Sequence, residues 1–221
     1  MKEHKVIEQA KPTRGRGRPK LSDPDTGDTR AKIASVARVL FIEEGYQGVS
    51  MRKIASKVPC SVGVLYHHYK NKRDILQDIW DDIFLTSFTY CHKAAGKHKN
   101  AIDKLQHFCM AYVRYWDNHP DHFKMIYLLD RQENEDLAYT NQSFSYLKYE
   151  WITEFIASAI QSGELIPEEG ISAHQIAESL YSISQGLAYR RVCYEGHPEK
   201  QDTVSGVAIR GLLKGLVTQS T

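Results

Sequence analysis

The stretch from Ser50 to Lys72, S-M-R-K-I-A-S-K-V-P-C-S-V-G-V-L-Y-H-H-Y-K-N-K, does most to limit what this chain can fold into. It holds two short helical patterns back to back. Ser50 reads as the cap of the first, with Met51, Ile54 and Ala55 on its inner face. Ser61 reads as the cap of the second, from which Leu65 packs inward. A serine hydroxyl at that position accepts a backbone N–H that the helix cannot satisfy itself. The turn between them, Val58 to Ser61, has the length that a helix-turn-helix uses. The small Ala55 lets two helices cross closely. Arg52, Tyr66, His67, His68, Lys70 and Lys72 are groups that a buried hairpin would not need. They suit a face turned toward phosphates and base edges.

The rest of the chain has to support such a face. With 221 residues and 42% hydrophobic content, it can form one large domain or two modest ones. No run approaches the roughly 18 apolar residues of a membrane span. The segment Met1–Lys20 lacks the apolar core of a secretory signal. Cys60, Cys91, Cys109 and Cys193 are widely scattered, which fits reduced thiols in a cytoplasmic protein. The formal net charge of +2 conceals an asymmetry. Up to Arg73 there are 16 Lys and Arg against 7 Asp and Glu, and beyond it 13 against 20. A basic first third joined to an acidic remainder fits a nucleic-acid reader carried on a second domain.

Residues 1–25 are polar, contain three prolines and show no apolar period, so they read as a disordered basic arm. Within them Arg14, Arg16 and Arg18 alternate with glycine before Pro19-Lys20. An extended strand of this kind can enter a narrow A·T-rich minor groove, whose negative potential attracts arginine. Gly17-Arg18-Pro19 resembles the core of an AT-hook. Beyond the arm the periodicity is helical throughout, and the expected fold class is all-α. A helix over about 29–44 carries Ile33, Ala37, Leu40 and Phe41 on one stripe and ends at Gly45. Asn71 caps a helix from Lys72 to about Ala95, closed by Gly96. Further helices are expected over about 101–118, 121–130, 137–162, 173–195 and 199–217.

Taken together, residues 30–76 resemble the DNA-binding domain of the TetR/AcrR family of bacterial transcription regulators. The resemblance is carried by Ile33-Ala34, Ala37, Leu40-Phe41, Gly45-Tyr46, Val49-Ser50-Met51, Ile54-Ala55 and Gly63-Val64-Leu65-Tyr66-His67-His68-Tyr69-Lys70-Asn71-Lys72. It implies an all-helical homodimer whose three N-terminal helices (26–75) read DNA. A larger C-terminal domain (76–221) binds a small molecule and dimerises. Carried over by position, Ser50, Arg52, Ser61, Val62, Gly63, Val64, Tyr66, His67, His68 and Lys72 face DNA. Arg52 and Val62 to Val64 are the base-edge readers, and Ser50, Tyr66, His67 and Lys72 the phosphate clamps. Two departures stand out. The family's small-Gly-Val-Ser turn is Val58-Pro59-Cys60-Ser61 here, and proline cannot take a positive φ. The family's frequent Gly-Thr-Leu-Tyr is Gly63-Val64-Leu65-Tyr66, with a methyl in place of a hydroxyl.

The second domain is rich in aromatics. Phe84, Phe88, Phe108, Tyr112, Trp116, Tyr127, Phe144 and Trp151 are the candidates for lining an apolar effector pocket with a few polar tips. Leu180, Ile183, Leu187 and Tyr189, and Val204, Val207, Leu212, Leu213 and Leu216, lie among small residues and are candidate dimer faces. Cys91, His92 and His98, and Cys193 with His197, do not make a complete ligand set. No metal, cofactor or enzymatic motif is expected. The expectation is a DNA-binding regulator, a repressor released from a palindromic operator by a hydrophobic or aromatic effector. A regulator without an effector and an architectural A·T-rich DNA-binding protein are the alternatives.

Overall fold

A computed structural model describes residues 26–128, 152–194 and 198–218. Arg14, Arg16, Arg18, Phe144 and Trp151 lie outside the described residues. The described chain is helical: α1 (Thr26–Gly48), α2 (Met51–Lys57), α3 (Val62–His68), α4 (Lys72–Ala95), α5 (Ala101–Asn118), α6 (Pro120–Phe123), α7 (152–161), α8 (Ala173–Cys193) and α9 (Pro198–Leu216). One small addition to the all-α expectation is an antiparallel pairing of β1 (Ile166–Pro167) with β2 (Val217–Thr218), which ties the end of α9 to the segment before α8. Among the described residues no helix is long and apolar enough to cross a membrane.

The helix ends follow from the caps. The hydroxyls of Ser50 and Ser61 accept from the amides of Lys53 and Val64, and the Asn71 and Asn100 carboxamide oxygens accept from Asp74 and Asp103. Ser172 and Gln175 form a reciprocal capping box at α8. The first helix starts earlier than its periodicity suggested and breaks at Gly45, where φ is 74° and ψ is 160°. That region is essentially open to glycine alone. Gly45→Ala meets no steric neighbour there, so its cost is purely conformational. We expect a loss of about 1–3 kcal/mol, read as a lower urea midpoint with an unchanged slope.

The segment expected as a short helix over 121–130 is different. Pro120 opens the four-residue α6, and Lys124–Leu128 then widens into a π-helical turn with Met125 and Ile126 buried. A π turn shifts the register of the face it presents, and such turns recur at functional sites. This one packs against α1.

A continuous apolar core runs from the first three helices into those that follow. Ile33, Phe41, Ile54 and Leu65 meet Ile75, Leu76 and Ile79 of α4. Further along, Ile83 and Phe84 of α4 join Leu105, Phe108, Tyr112 and Trp116 of α5, and Ile176, Ala177 and Leu180 of α8. The helix α4 therefore belongs to both halves.

Candidate nucleic-acid interface and effector domain

The second helix of the motif presents one outward face. Val62, Gly63, Tyr66 and His67 stand on it at i, i+1, i+4 and i+5, while Leu65 and Tyr69 turn inward and are 0% and 2% exposed. Val62 is 45% and Tyr66 50% exposed, although both carry large apolar groups. Val64 and His68 flank the face half-buried, and Arg52 stands exposed on α2. Burial, with smaller effects from His67 and Arg30, holds His68 below the ordinary imidazole value. It is therefore a neutral group at neutral pH. The Ser50 and Ser61 hydroxyls are used as acceptors within their helices, but each keeps its O–H to donate.

The turn between the two helices does without a left-handed residue. Positive φ occurs among the described residues at Gly45, Gly163 and Gly170 alone. The Cys60 amide donates to the Val58 carbonyl at 2.7 Å, a tight three-residue turn centred on Pro59, whose fixed φ suits it. The proline thus replaces glycine by a different turn. Burial raises the Cys60 thiol above its ordinary value, so it is not an activated thiolate.

Lys72 is placed differently from the outward phosphate clamp that its position implied. Its ammonium donates to the Tyr46 carbonyl and, at 2.8 Å, to the Val49 carbonyl, and it lies 4.0 Å from the centre of the Tyr46 ring. It ties the start of α4 to the link between α1 and α2, and so positions Ser50 and Arg52. Lys53, likewise, is paired with Glu44 of α1.

A second tie joins α1 to α4. Arg30 donates to both oxygens of Asp78 at 3.1 and 3.0 Å and lies over the Tyr69 ring, while the buried Tyr69 hydroxyl also donates to Asp78. Burial acts to raise the Asp78 carboxyl, but the hydrogen bonds from Arg30 and Tyr69 outweigh it and hold the group below its ordinary value. A depressed carboxyl contributes stability fully above the usual range near pH ~4. That contribution disappears as pH falls through the folded-state value. Asp78→Asn should therefore be less stable than the natural chain at pH 7 in urea titrations, and the gap should narrow below about pH 4. A gap independent of pH would show that the carboxylate charge is not what matters.

Residues 33–79, spanning α2, α3 and the Asp78 tie, match the family model "Bacterial regulatory proteins, tetR family". The domain over these residues is of the TetR type. Over 67 residues it is 39% identical to the Transposon Tn10 TetC protein of Escherichia coli, an alignment covering 28% of this chain and 34% of that one. It is 37% identical over 67 residues to an HTH-type transcriptional regulator of Staphylococcus aureus, covering 29% and 36%. The chain thus matches about a third of the length of these curated relatives. Similarity of fold extends much further. FadR from Bacillus subtilis, solved in complex with stearoyl-CoA, superposes with a TM-score of 0.69 at 18% identity over 84% of this chain and 98% of that one. A bacterial regulatory protein of the tetR family from Rhodococcus RHA1 gives a TM-score of 0.61 at 19% identity over 87% and 98%.

Beyond the TetR-type reading head, the aromatic side chains singled out in the second domain fall into two groups along α5. Phe88 and Phe108 face each other at 6.2 Å, and Phe84 is buried in the core beside them. Phe108 also lines a cavity of about 190 Å³ with His92, Ala95, Gly96, Lys104, Leu105 and Phe155. In the other group Tyr112, Trp116 and Tyr127 pack edge to face, at 5.7 and 5.6 Å from the Trp116 ring. The Tyr127 hydroxyl lies 2.9 Å from both the Tyr112 and the Tyr181 hydroxyls. Burial, reinforced by the neighbouring tyrosines, pushes Tyr112 well above its ordinary value, so its hydroxyl stays neutral. The indole N–H of Trp116 is buried with no hydrogen-bond partner among the described residues.

Tyr181, Phe155, His92 and Lys104 were not expected at a pocket, because the contacts that bring them to α5 are tertiary. Of the tentative metal constellations, Cys91 is buried, His98 is stacked at 3.5 Å on His107, and His197 lies outside the described residues.

Proposed function

We propose that the protein is a homodimeric repressor that binds a palindromic operator and is released by a small hydrophobic or aromatic effector. The observation that carries the DNA-binding part is the outward face of α3. A helix that exposes Val62 and Tyr66 while burying Leu65 and Tyr69 spends apolar surface on solvent, which makes sense as a surface that meets a partner. Val62 and Val64 suit thymine methyls, Gly63 allows close approach of the backbone, and Arg52, Tyr66 and His67 suit phosphates and base edges. Lys72 acts from behind, by holding the link on which Ser50 sits. In this reading 26–75 is the reading head and 76–221 the effector and dimer domain. Residues 1–25 form a basic arm whose arginines extend the footprint into the minor groove.

The effector part is supported by the aromatic interior. The cavity beside Phe108 and Phe155 suits one ring or a short acyl segment, being smaller than the pockets of drug-sized ligands. The Trp116 N–H, which has no partner among the described residues, and the tyrosine cluster would recognise an acceptor on a larger effector. FadR of Bacillus subtilis, which shares the fold, is solved with stearoyl-CoA, which points to the acyl class as the first to screen. Val204 and Val207 of α9, 46% and 58% exposed in the single chain, and Tyr189 of α8 would be covered by the second subunit.

Footprinting on the DNA flanking the gene tests the reading. Protection of one discrete palindrome, lifted by an acyl or aromatic compound, is the expected result. Uniform coating of A·T-rich DNA would instead indicate an architectural protein.

A further inference from the structure

The sequence His119-Pro120-Asp121-His122 joins α5 to α6, where the reading head touches the second domain. One ring nitrogen from each histidine and a carboxylate oxygen of Asp121 lie within 4.8 Å of one another. The closest recorded pair, Asp121 Oδ2 and His122 Nε2, is 3.8 Å apart. Tetrahedral zinc with bonds of about 2.0–2.1 Å places its donors about 3.3–3.4 Å apart. Small side-chain rotations would close the set, and His119 is exposed and able to make them.

The protonation pattern already suits a ligand. The Tyr115 hydroxyl donates to the Ile83 carbonyl at 3.5 Å and so accepts from the Nδ1–H of His122 at 2.9 Å. That leaves the Nε2 lone pair outward, where it accepts from the Arg38 guanidinium at 3.0 Å. A histidine whose far nitrogen is fixed by a hydroxyl and whose near nitrogen meets a cation has the arrangement of a metal-bound imidazole with its orienting partner.

We propose that His119, Asp121 and His122 form a site for a late first-row divalent cation such as zinc, and that the metal and Arg38 compete for the same imidazole nitrogen. Two imidazoles and a carboxylate suit zinc, with water in the fourth position. Arg38 belongs to α1 and His122 to α6, so metal binding would exchange an interdomain hydrogen bond for a bond within the second domain. The displaced guanidinium has carboxylates to turn to, because Arg38 lines a cleft of about 470 Å³ together with Asp81 and Asp82 of α4. The reading head would then be attached to the second domain by different contacts in the metal-bound and metal-free states, which is what a linked site requires. This inference does not depend on which operator or organic effector the protein uses.

The test is titration of the EDTA-stripped full chain with Co²⁺, read by its visible d–d bands, followed by displacement with Zn²⁺. We expect one equivalent per chain. His119→Ala and Asp121→Asn, both at exposed side chains, should abolish the bands, and Tyr115→Phe should weaken binding about 10–100-fold. Arg38→Ala should bind more tightly than the natural chain because the competitor is gone. A featureless titration of the natural chain would overturn the site. So would bands that survive both His119→Ala and Asp121→Asn, which would place the metal on other histidines. Unchanged affinity in Arg38→Ala would overturn the competition.

Discussion

Val62→Glu is expected to cost at least about a hundredfold in operator affinity while leaving the fold intact. The two halves of this expectation rest on the same position. Val62 is the first residue of α3 and is 45% exposed, so no core contact is lost. A carboxylate in the first turn of a helix is favourable to the helix itself, worth about 0.3–1 kcal/mol. On the DNA side the same charge would be set against phosphates and the acceptor-rich floor of the major groove, where like-charge contact costs several kcal/mol. Circular dichroism and the thermal midpoint should match the natural chain, and a gel-shift titration against the footprinted operator should show the loss. If affinity survives, α3 does not enter the groove by its N-terminal face.

Trp116→Ala should have the largest effect on stability. Trp116 is 0% exposed and its ring packs against Tyr112, Tyr115, Phe123 and Tyr127. Truncation removes those contacts at once and leaves a cavity that aromatic neighbours on three elements cannot readily fill, at a cost of about 3–5 kcal/mol. The buried indole N–H has no partner among the described residues, so no hydrogen bond goes with it and the cost is one of packing. Urea denaturation followed by circular dichroism measures the change. A cost below about 1.5 kcal/mol, the range of a volume-conserving swap, would mean that the aromatic cluster is already loosely packed. That outcome would favour a preformed effector site at Trp116 over a solid core.

How far these features can be read from residues alone depends on the range of the contact. The start of α4 fell where the Asn71 cap placed it, since capping is a local hydrogen bond within three residues. The reading head was legible for the same reason, its signals lying in one ungapped run. The π turn at Lys124–Leu128 was not, because an apolar run of that length has no period that separates it from an ordinary helix. The inward path of Lys72 was hidden too. Its partners are carbonyls, which every residue carries, 23 and 26 positions away. The meeting of Arg38 and His122 spans 84 positions, and two half-buried polar side chains at that separation leave no pattern in the chain.

Helix α4 contains neither glycine nor proline from Lys72 to Ala95. Twenty-four residues at 1.5 Å each make a rod about 36 Å long. Such a rod converts angle into distance. A tilt of about 5° at the Gly96 end displaces the Asn71 end by about 3 Å. Successive major grooves on one face of a duplex recur at about 34–36 Å. Two rods tilting in opposite senses would therefore throw a pair of heads out of step with the duplex by about 6 Å, with no helix having to bend or unfold. In the proposed dimer the sensitivity of such a switch would be set by geometry. A longer α4 would respond to a smaller displacement in the interior, and a single glycine substituted at its middle would blunt the response without touching either end.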